Sequence, residues 1–449
     1  MTPSVDSVRT KGSDDVQQQH NMPRVVFAAS LGTVFEYYDF LLYGSLAAFF
    51  SGLFFPADNP TASLLASLAT FGAGFAMRPV GALVFGKLGD TIGRKRSFLI
   101  TIVIMGLSTT LVGALPTYHE IGWLAPVLLV VLRLLQGLAL GGEFGGATLY
   151  IAEHSPTQRR GWYTAWIQTT GTMGLILSLL VILLCRSALG EEAFKLWGWR
   201  LPFLFSVLLL AMSIYLRLRL KESPLFTQLR ATGGLSQSPV RDSVLAAGNR
   251  RPMLLALAAA AAMALNWYAA QFYSFVFLQN TLKLPFATAA GIAIAALALG
   301  IPLFLAAGHW SDRVGRLRPM LLGMGIAAVS FVPGFTVLLR SGDSPAMLIL
   351  AIVGMIAGAA LTCGPGAAYL AELFPTRIRY TSLSFPYHIT SAWFGGFMPL
   401  TATWLVAQTG NPLAGVWYPT LVSLSCLLIL LACGAWQREQ QSQSWRQVL

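Results

Sequence analysis

The sequence predicts an all-α integral membrane protein of twelve transmembrane helices in two six-helix bundles, with both termini in the cytoplasm. Three observations carry that prediction. Apolar residues make up 55% of the chain and charged residues only 11%, against roughly 25% charged in soluble domains. About twelve apolar runs reach the roughly 20 residues that a bilayer-spanning helix needs. They lie near 22–50, 61–86, 97–115, 124–151, 161–185, 200–217, 252–280, 287–308, 319–339, 345–371, 380–407 and 413–435. The chain also repeats itself. Gly86-Lys-Leu-Gly-Asp90-Thr-Ile-Gly93-Arg94 returns 222 residues later as Gly308-His-Trp-Ser-Asp312-Arg-Val-Gly315-Arg316. Gly145 to Glu153 and Pro156 to Arg160 return 219 residues on, as Gly364 to Glu372 and Pro375 to Arg379. Three echoes in one order mark a tandem duplication with six runs in each copy.

Charge sets the orientation. The net charge is +12, with 30 Lys and Arg. With the N-terminus inside, 23 of these fall in cytoplasmic segments, five on the opposite side, and two, Arg78 and Arg133, inside apolar runs. This is the positive-inside distribution, so the basic balance is topology and no nucleic-acid partner is expected. Cys185, Cys363, Cys426 and Cys433 sit in apolar runs without ligand spacing and read as small buried hydrophobes. The organisation follows: a disordered polar tail at 1–21, an N-terminal bundle at 22–217, a cytoplasmic linker at 218–251, a C-terminal bundle at 252–436 and a tail at 437–449. No extramembrane segment is large enough for a catalytic domain, so an enzyme is not expected.

Within the runs, the informative residues are ionisable ones at membrane depth, which cost several kcal/mol and need a polar surrounding. The first run carries Glu36, Asp39 and Tyr43 at i, i+3 and i+7, one face of a helix. The second holds Arg78-Pro79, a fixed cation beside a residue that cannot donate a backbone hydrogen bond. The fourth supplies Arg133, Gln136 and Glu143, with Gly137, Gly141 and Gly145 four apart, a bare ridge for helix packing. Arg133 and Glu143 are about 15 Å apart along a helix and cannot pair. Gln168 adds a polar side chain in the fifth run. The second copy has almost no buried charge; Asn266, Gln271 and His388 are its main polar side chains at depth. His388 reads as a hydrogen-bonded core residue or as a relay. Trp267, Tyr268 and Tyr273 could stack on a ligand or simply fill the wall.

These residues carry a resemblance. The repeated Gly-x-x-x-Asp-x-x-Gly-Arg loop, Arg133-x-x-Gln136-Gly137 and Glu222-Ser-Pro224 resemble the signatures of the major facilitator superfamily. Glu36-Tyr-Tyr-Asp39-Phe40, Arg78-Pro79-x-Gly81, Gly141-Gly142-Glu143 and Trp197-Gly-Trp199-Arg200-x-Pro202-Phe203 resemble its metabolite:proton symporters, which include carriers of α-ketoglutarate, citrate, shikimate and proline or betaine. Thr170-Gly171-Thr-Met-Gly174 lacks the Gly-Pro pair of drug antiporters, and the short C-terminus lacks the coiled coil of the osmosensing betaine carrier.

The resemblance implies import of a small metabolite across the cell (inner) membrane by proton symport and alternating access. The expected substrate is an organic acid; the alternative is a zwitterionic or neutral solute such as betaine, proline or shikimate. Asp39, Glu36 and Glu143 are the candidates for carrying the proton. Arg78, Arg133, Tyr43, Gln168, Asn266, Gln271 and His388 are the candidates for binding substrate. Gly86, Asp90, Gly93 and Arg94, with Gly308, Asp312, Gly315 and Arg316, are the candidates for gating. No cofactor is expected beyond the coupling proton. The partners are the substrate and the lipid bilayer, with function as a monomer.

Overall fold

The structure, a computed structural model, describes residues 30–56, 59–92, 94–218, 247–341, 344–375 and 378–446, together with Met22 and Val26. The expected tail at 1–21 and most of the expected linker lie outside the described residues. Helix α1 spans 30–54, with a turn at Leu46 before Ala47–Phe54. Helix α2 is Pro60–Ala76 continued by Arg78–Ile92. Helix α3 is Arg94–Ala114, and α4 is Leu124–Gly141 continued by Phe144–His154. Helix α5 is Arg160–Ala193, and α6 is Arg200–Leu204 with Ser206–Leu218. In the second half α7 runs Arg250–Trp267, a π turn Tyr268–Tyr273, then Ser274–Asn280. Helix α8 is Phe286–Val314, α9 is Leu317–Arg340, and α10 is Pro345–Cys363 with Gly366–Glu372. Helix α11 is Arg379–Thr390, a π turn Ser391–Gly396 and Met398–Thr409; α12 is Ala414–Arg446.

Nine described helices are long and apolar enough to cross a membrane, and α6 is a shorter apolar one. The remaining two, α1 and α11, are broken by a turn and a π turn, which brings the count to the expected twelve. Two ends differ from the expectation. Helix α5 outlasts its apolar run, which stops at residue 185, with a kink at Gly190 where φ is 78°, and α12 continues helically through 437–446. Both extensions are rich in Glu, Gln, Arg and Ala, good helix formers. A helix needs propensity, whereas an apolar run stops at the first charge.

Local chemistry sets the breaks. Asn59 caps α2, its Oδ1 accepting from the Thr61 and Ala62 amides at 2.9 and 3.4 Å, with Pro60 in the first helical position where its missing N–H costs nothing. In α6 the Pro202 carbonyl leaves the helix ladder and accepts from the Tyr38 hydroxyl at 2.7 Å. The helix restarts at Ser206.

Within the first half, the glycine ridge of α4 lies on α2. A Cβ on Gly137 would collide with the Gly74 carbonyl, and one on Gly141 with the Arg78 carbonyl. Gly145, the next in the ridge, faces Ser384 of α11 instead. The ridge therefore joins two helices of one half and then reaches the other half. Across the halves α5 packs along α8, and α2 packs against α11. Gly137→Leu should destabilise the first half by about 1–3 kcal/mol, because backbone on α2 cannot yield. A thermal-unfolding scan of the detergent-solubilised protein would read this as a lowered midpoint.

Candidate functional site

Between the halves lies a small cavity. The first half contributes Tyr37 from α1, Arg78 from α2, and Gln168 and Gly171 from α5. The second half contributes an aromatic wall, Trp267 and Tyr268 from α7 and Tyr387 from α11, with Met263, Ala264, Cys363 and Ser391 between. Arg78 is the one charged residue among these, and among the described residues no carboxylate lines the cavity. Arg78 is 2% exposed, and its Nε and Nη2 have no hydrogen-bond partner. Its charge rests on ring faces, with Cζ 3.8 Å from the centre of Phe75 and 4.5 Å from that of Phe40. Above the cavity floor, the hydroxyls of Tyr37 and Tyr387 lie 3.5 Å apart and bridge the two halves.

The π turns explain how α7 and α11 reach the site. Tyr268 opens one and Ser391 opens the other, so both helices widen by a residue where they meet the cavity, a frequent feature of functional sites.

Of the predicted substrate-binding residues, the structure brings Arg78 and Gln168 to the cavity. Arg133 is buried behind it. Its Nη1 donates to the Phe40 carbonyl at 3.2 Å and to Gln136 Oε1 at 2.7 Å, and its Cζ lies 4.3 Å from the Phe40 ring centre. Tyr43 turns to α2, with its hydroxyl 3.1 Å from both the carbonyl and Oγ of Ser67. Asn266 donates to Thr362 Oγ1 at 3.3 Å, and Gln271 accepts from Thr172 Oγ1 at 2.7 Å, a second bridge between halves. His388 is buried with its ring against Tyr387, outside the lining.

The predicted proton carriers are buried but do not line the cavity. Asp39 accepts a hydrogen bond from Ser206 of α6. Glu36 is buried on α1, and Glu143 sits in the break of α4. Sequence reasoning ranked Glu36, Asp39 and Tyr43 as one face and passed over Tyr37. The overlooked signal is Gly44, seven residues on from Tyr37: its missing Cβ admits Phe272 of α7, which marks the stripe of α1 that faces the second half. Cys363, read as a buried hydrophobe, is buried and also lines the cavity. Among the described residues, no three His, Cys, Asp or Glu converge as a metal site.

The cavity is closed at both ends by different means. At the end that carries the repeated loops, Asp312 accepts from the backbone amides of Gly161 and Trp162 at 2.8 and 2.9 Å. This carboxylate of the second half thus caps the positive start of α5 in the first half. Arg316 pairs with Asp312 and, at 3.2 Å, with Glu372, which also holds Arg160 of α5 at 3.3 Å. Burial works against the Arg316 charge, but Glu372 and Asp312 outweigh it and hold the guanidinium above its ordinary pKa. Gly308 lies against Gly161, where any side chain would strike the α5 carbonyl, and Gly315 has φ +89° and ends α8. Gly86 faces Tyr380 of α11. Gly93 and the side chains of Asp90 and Arg94 lie outside the described residues. At the other end the closure is aromatic: Phe71 stacks on Phe272 at 5.1 Å, and Phe75 meets Tyr268 edge-on at 5.3 Å.

A family model described as Major Facilitator Superfamily matches residues 29–385. The inner membrane metabolite transport protein YhjE of Escherichia coli is 34% identical over 435 residues, covering 91% of this chain and 93% of that one. The glycine betaine/proline/ectoine/pipecolic acid transporter OusA of Dickeya dadantii is 33% identical, covering 90% and 82%. Among solved structures, the proton:xylose symporter XylE superposes with a TM-score of 0.74 at 17% identity, covering 92% of this chain and 96% of that one, a likeness of fold.

Asp312→Ala should free the start of α5. Exchange at the Gly161 and Trp162 amides should then accelerate at least about fivefold, corresponding to roughly 1 kcal/mol for a helix-terminus charge. Hydrogen–deuterium exchange resolved to the 157–166 peptide would check it.

Proposed function

The chain belongs to the major facilitator superfamily of multi-pass membrane transporters, and from that premise we propose that it carries a small zwitterion into the cell by proton symport. The observation that carries the reading is Arg78: a buried cation in the cavity, with two unpartnered nitrogens and no carboxylate among the described lining residues, facing an aromatic wall. A substrate carboxylate supplies the missing acceptor, and a guanidinium takes it in a bidentate grip. An ammonium at the other end of the solute finds the ring faces of Tyr37, Trp267, Tyr268 and Tyr387, which hold a cation that has no N–H to donate. The names of OusA and of the putative proline/betaine transporters of Staphylococcus aureus support this choice over an organic acid. The organic-acid reading draws on the same Arg78 and on the absence of an acidic partner for an ammonium.

Alternating access uses the two closures in turn. The loop end, rich in Lys and Arg, is the cytoplasmic one by the positive-inside rule, and YhjE supports an inner-membrane location. Opening inward parts Asp312 from α5 and Glu372 from Arg160; opening outward parts the Phe71–Phe272 and Phe75–Tyr268 contacts. Asp39 carries the proton. It lies on α1, two residues from cavity-lining Tyr37, and its bond to Ser206 ties its protonation state to the α1–α6 contact. Glu36 and Glu143 are the remaining candidates. The transporter needs no cofactor and works as a monomer.

The test uses full-length protein in proteoliposomes with an internal pH dye, offered betaine, proline, shikimate, succinate and citrate. Betaine or proline should acidify the lumen, and Asp39→Asn should abolish that signal. Arg78→Ala should raise KM more than about thirtyfold, the scale of losing one partner of a buried charge pair. Acidification by succinate or citrate alone would replace the zwitterion with an organic acid. Uptake without proton movement in the wild type would sink symport.

A further inference from the structure

The floor of the cavity contains a glycine whose missing side chain decides its width. A Cβ on Gly171 would lie 3.2 Å from Cζ2 of Trp267 and 3.6 Å from Cε1 of Tyr37. The position therefore sits at the foot of a slot between the tyrosine ring of the first half and the indole of the second. Both rings and Gly171 line the cavity, as does Arg78, whose Nε and Nη2 have no hydrogen-bond partner.

The two walls of the slot are not equally able to move. Tyr37 is pinned at its backbone, because Gly174, one turn further along α5, lets α1 approach so closely that a Cβ there would meet Tyr37 Cβ at 2.5 Å and the Tyr38 amide at 2.9 Å. Its hydroxyl is also met by that of Tyr387. The Trp267 atoms nearest Gly171, Cζ2 and Cε2, belong to the indole, at the end of a side chain that turns about two bonds. Added bulk at 171 therefore displaces the indole, toward the open cavity.

The geometry points to Gly171 as the residue that sets how bulky a head group the transporter accepts, with the Tyr37–Trp267 slot as the subsite for the end of the substrate opposite its carboxylate. This rests on the zwitterion reading for the identity of that end, a methylated ammonium. The slot has ring faces and no acidic group, so it ranks head groups by size and by the N–H bonds they leave unmade. The carboxylate grip at Arg78 is the same for every member of a homologous series, so discrimination within the series falls to the slot.

The experiment measures KM and kcat for glycine, N-methylglycine, N,N-dimethylglycine and glycine betaine in proteoliposomes, for wild type and Gly171→Ala. In the variant, KM should climb with each methyl group, reaching about tenfold or more for betaine, the scale of one group misfitting an apolar pocket, while glycine changes little. Gly171→Ala/Trp267→Phe, with a smaller ring on the movable wall, should recover betaine. An equal change of KM across the series, or a fall in kcat alone, would overturn the assignment. Should Gly171→Ala not fold, as read by size-exclusion profile, Trp267→Phe alone decides. A wider slot should admit triethylglycine as a competitor of betaine uptake, and an unmoved size limit refutes the idea. If the wild type carries no member of the series but accumulates succinate, the zwitterion reading falls by itself. The slot is then tested with succinate against 2,2-dimethylsuccinate, where Gly171→Ala must penalise the dimethyl compound selectively or the assignment fails.

Discussion

A guanidinium cannot leave water for the middle of an apolar bundle without compensation, and the first half of this protein holds two. Arg133 and Arg78 both place their charge over the ring of Phe40, at 4.3 and 4.5 Å, and neither forms an ion pair with a carboxylate of the described residues. Arg133 donates through Nη1 to the Phe40 carbonyl and to Gln136, which is held in turn by Thr109 at 2.8 Å, while its Nε and Nη2 have no hydrogen-bond partner. Arg78 leaves the same two nitrogens unmet. Both arginines thus carry an electrostatic deficit, and of the two only Arg78 lines the cavity. The close contact of α4 on α2, which brings Gly141 against the Arg78 carbonyl, holds that deficit still.

The two closures differ in kind. The loop end uses ions and backbone dipoles, which water can replace as the contact parts. The opposite end uses ring against ring, whose parting exposes apolar surface and is opposed by the hydrophobic effect. The middle is spanned by weaker polar bridges, Tyr37 to Tyr387 and Thr172 to Gln271. These are contacts that a substrate can displace or reinforce. A ligand that interacts differently with the open and closed arrangements is what biases such an equilibrium.

The general plan was legible in the chain because it rests on composition and spacing. Apolar runs, the distribution of Lys and Arg, and the echo of Gly86-to-Arg94 at Gly308-to-Arg316 predicted an all-helical fold of twelve spans in two related halves. Arg78 and Gln168 could be named as site residues because a polar side chain inside an apolar run has few places to go. Helix rotation was less legible. Among Glu36, Tyr37, Tyr38 and Asp39, four consecutive residues share every run-level property, and only packing sends Tyr37 to the cavity while Asp39 meets α6. Tyr43 was grouped with Asp39 by its spacing, yet it turns to Ser67.

By itself the sequence determined that the chain spans a membrane as two duplicated helical bundles, and which ionisable groups are buried in them, since hydropathy and periodicity act along the chain. Tertiary structure alone decided which of those groups meet. Arg78 is left without a carboxylate ion pair among the described residues, set against α4 and the rings of Phe40 and Phe75. Asp312 caps a helix some 150 residues away, and Gly171 becomes a wall of the cavity because Trp267 from the other half leans over it. These are contacts between segments far apart in sequence, set by how helices rotate and pack, and no local pattern encodes them.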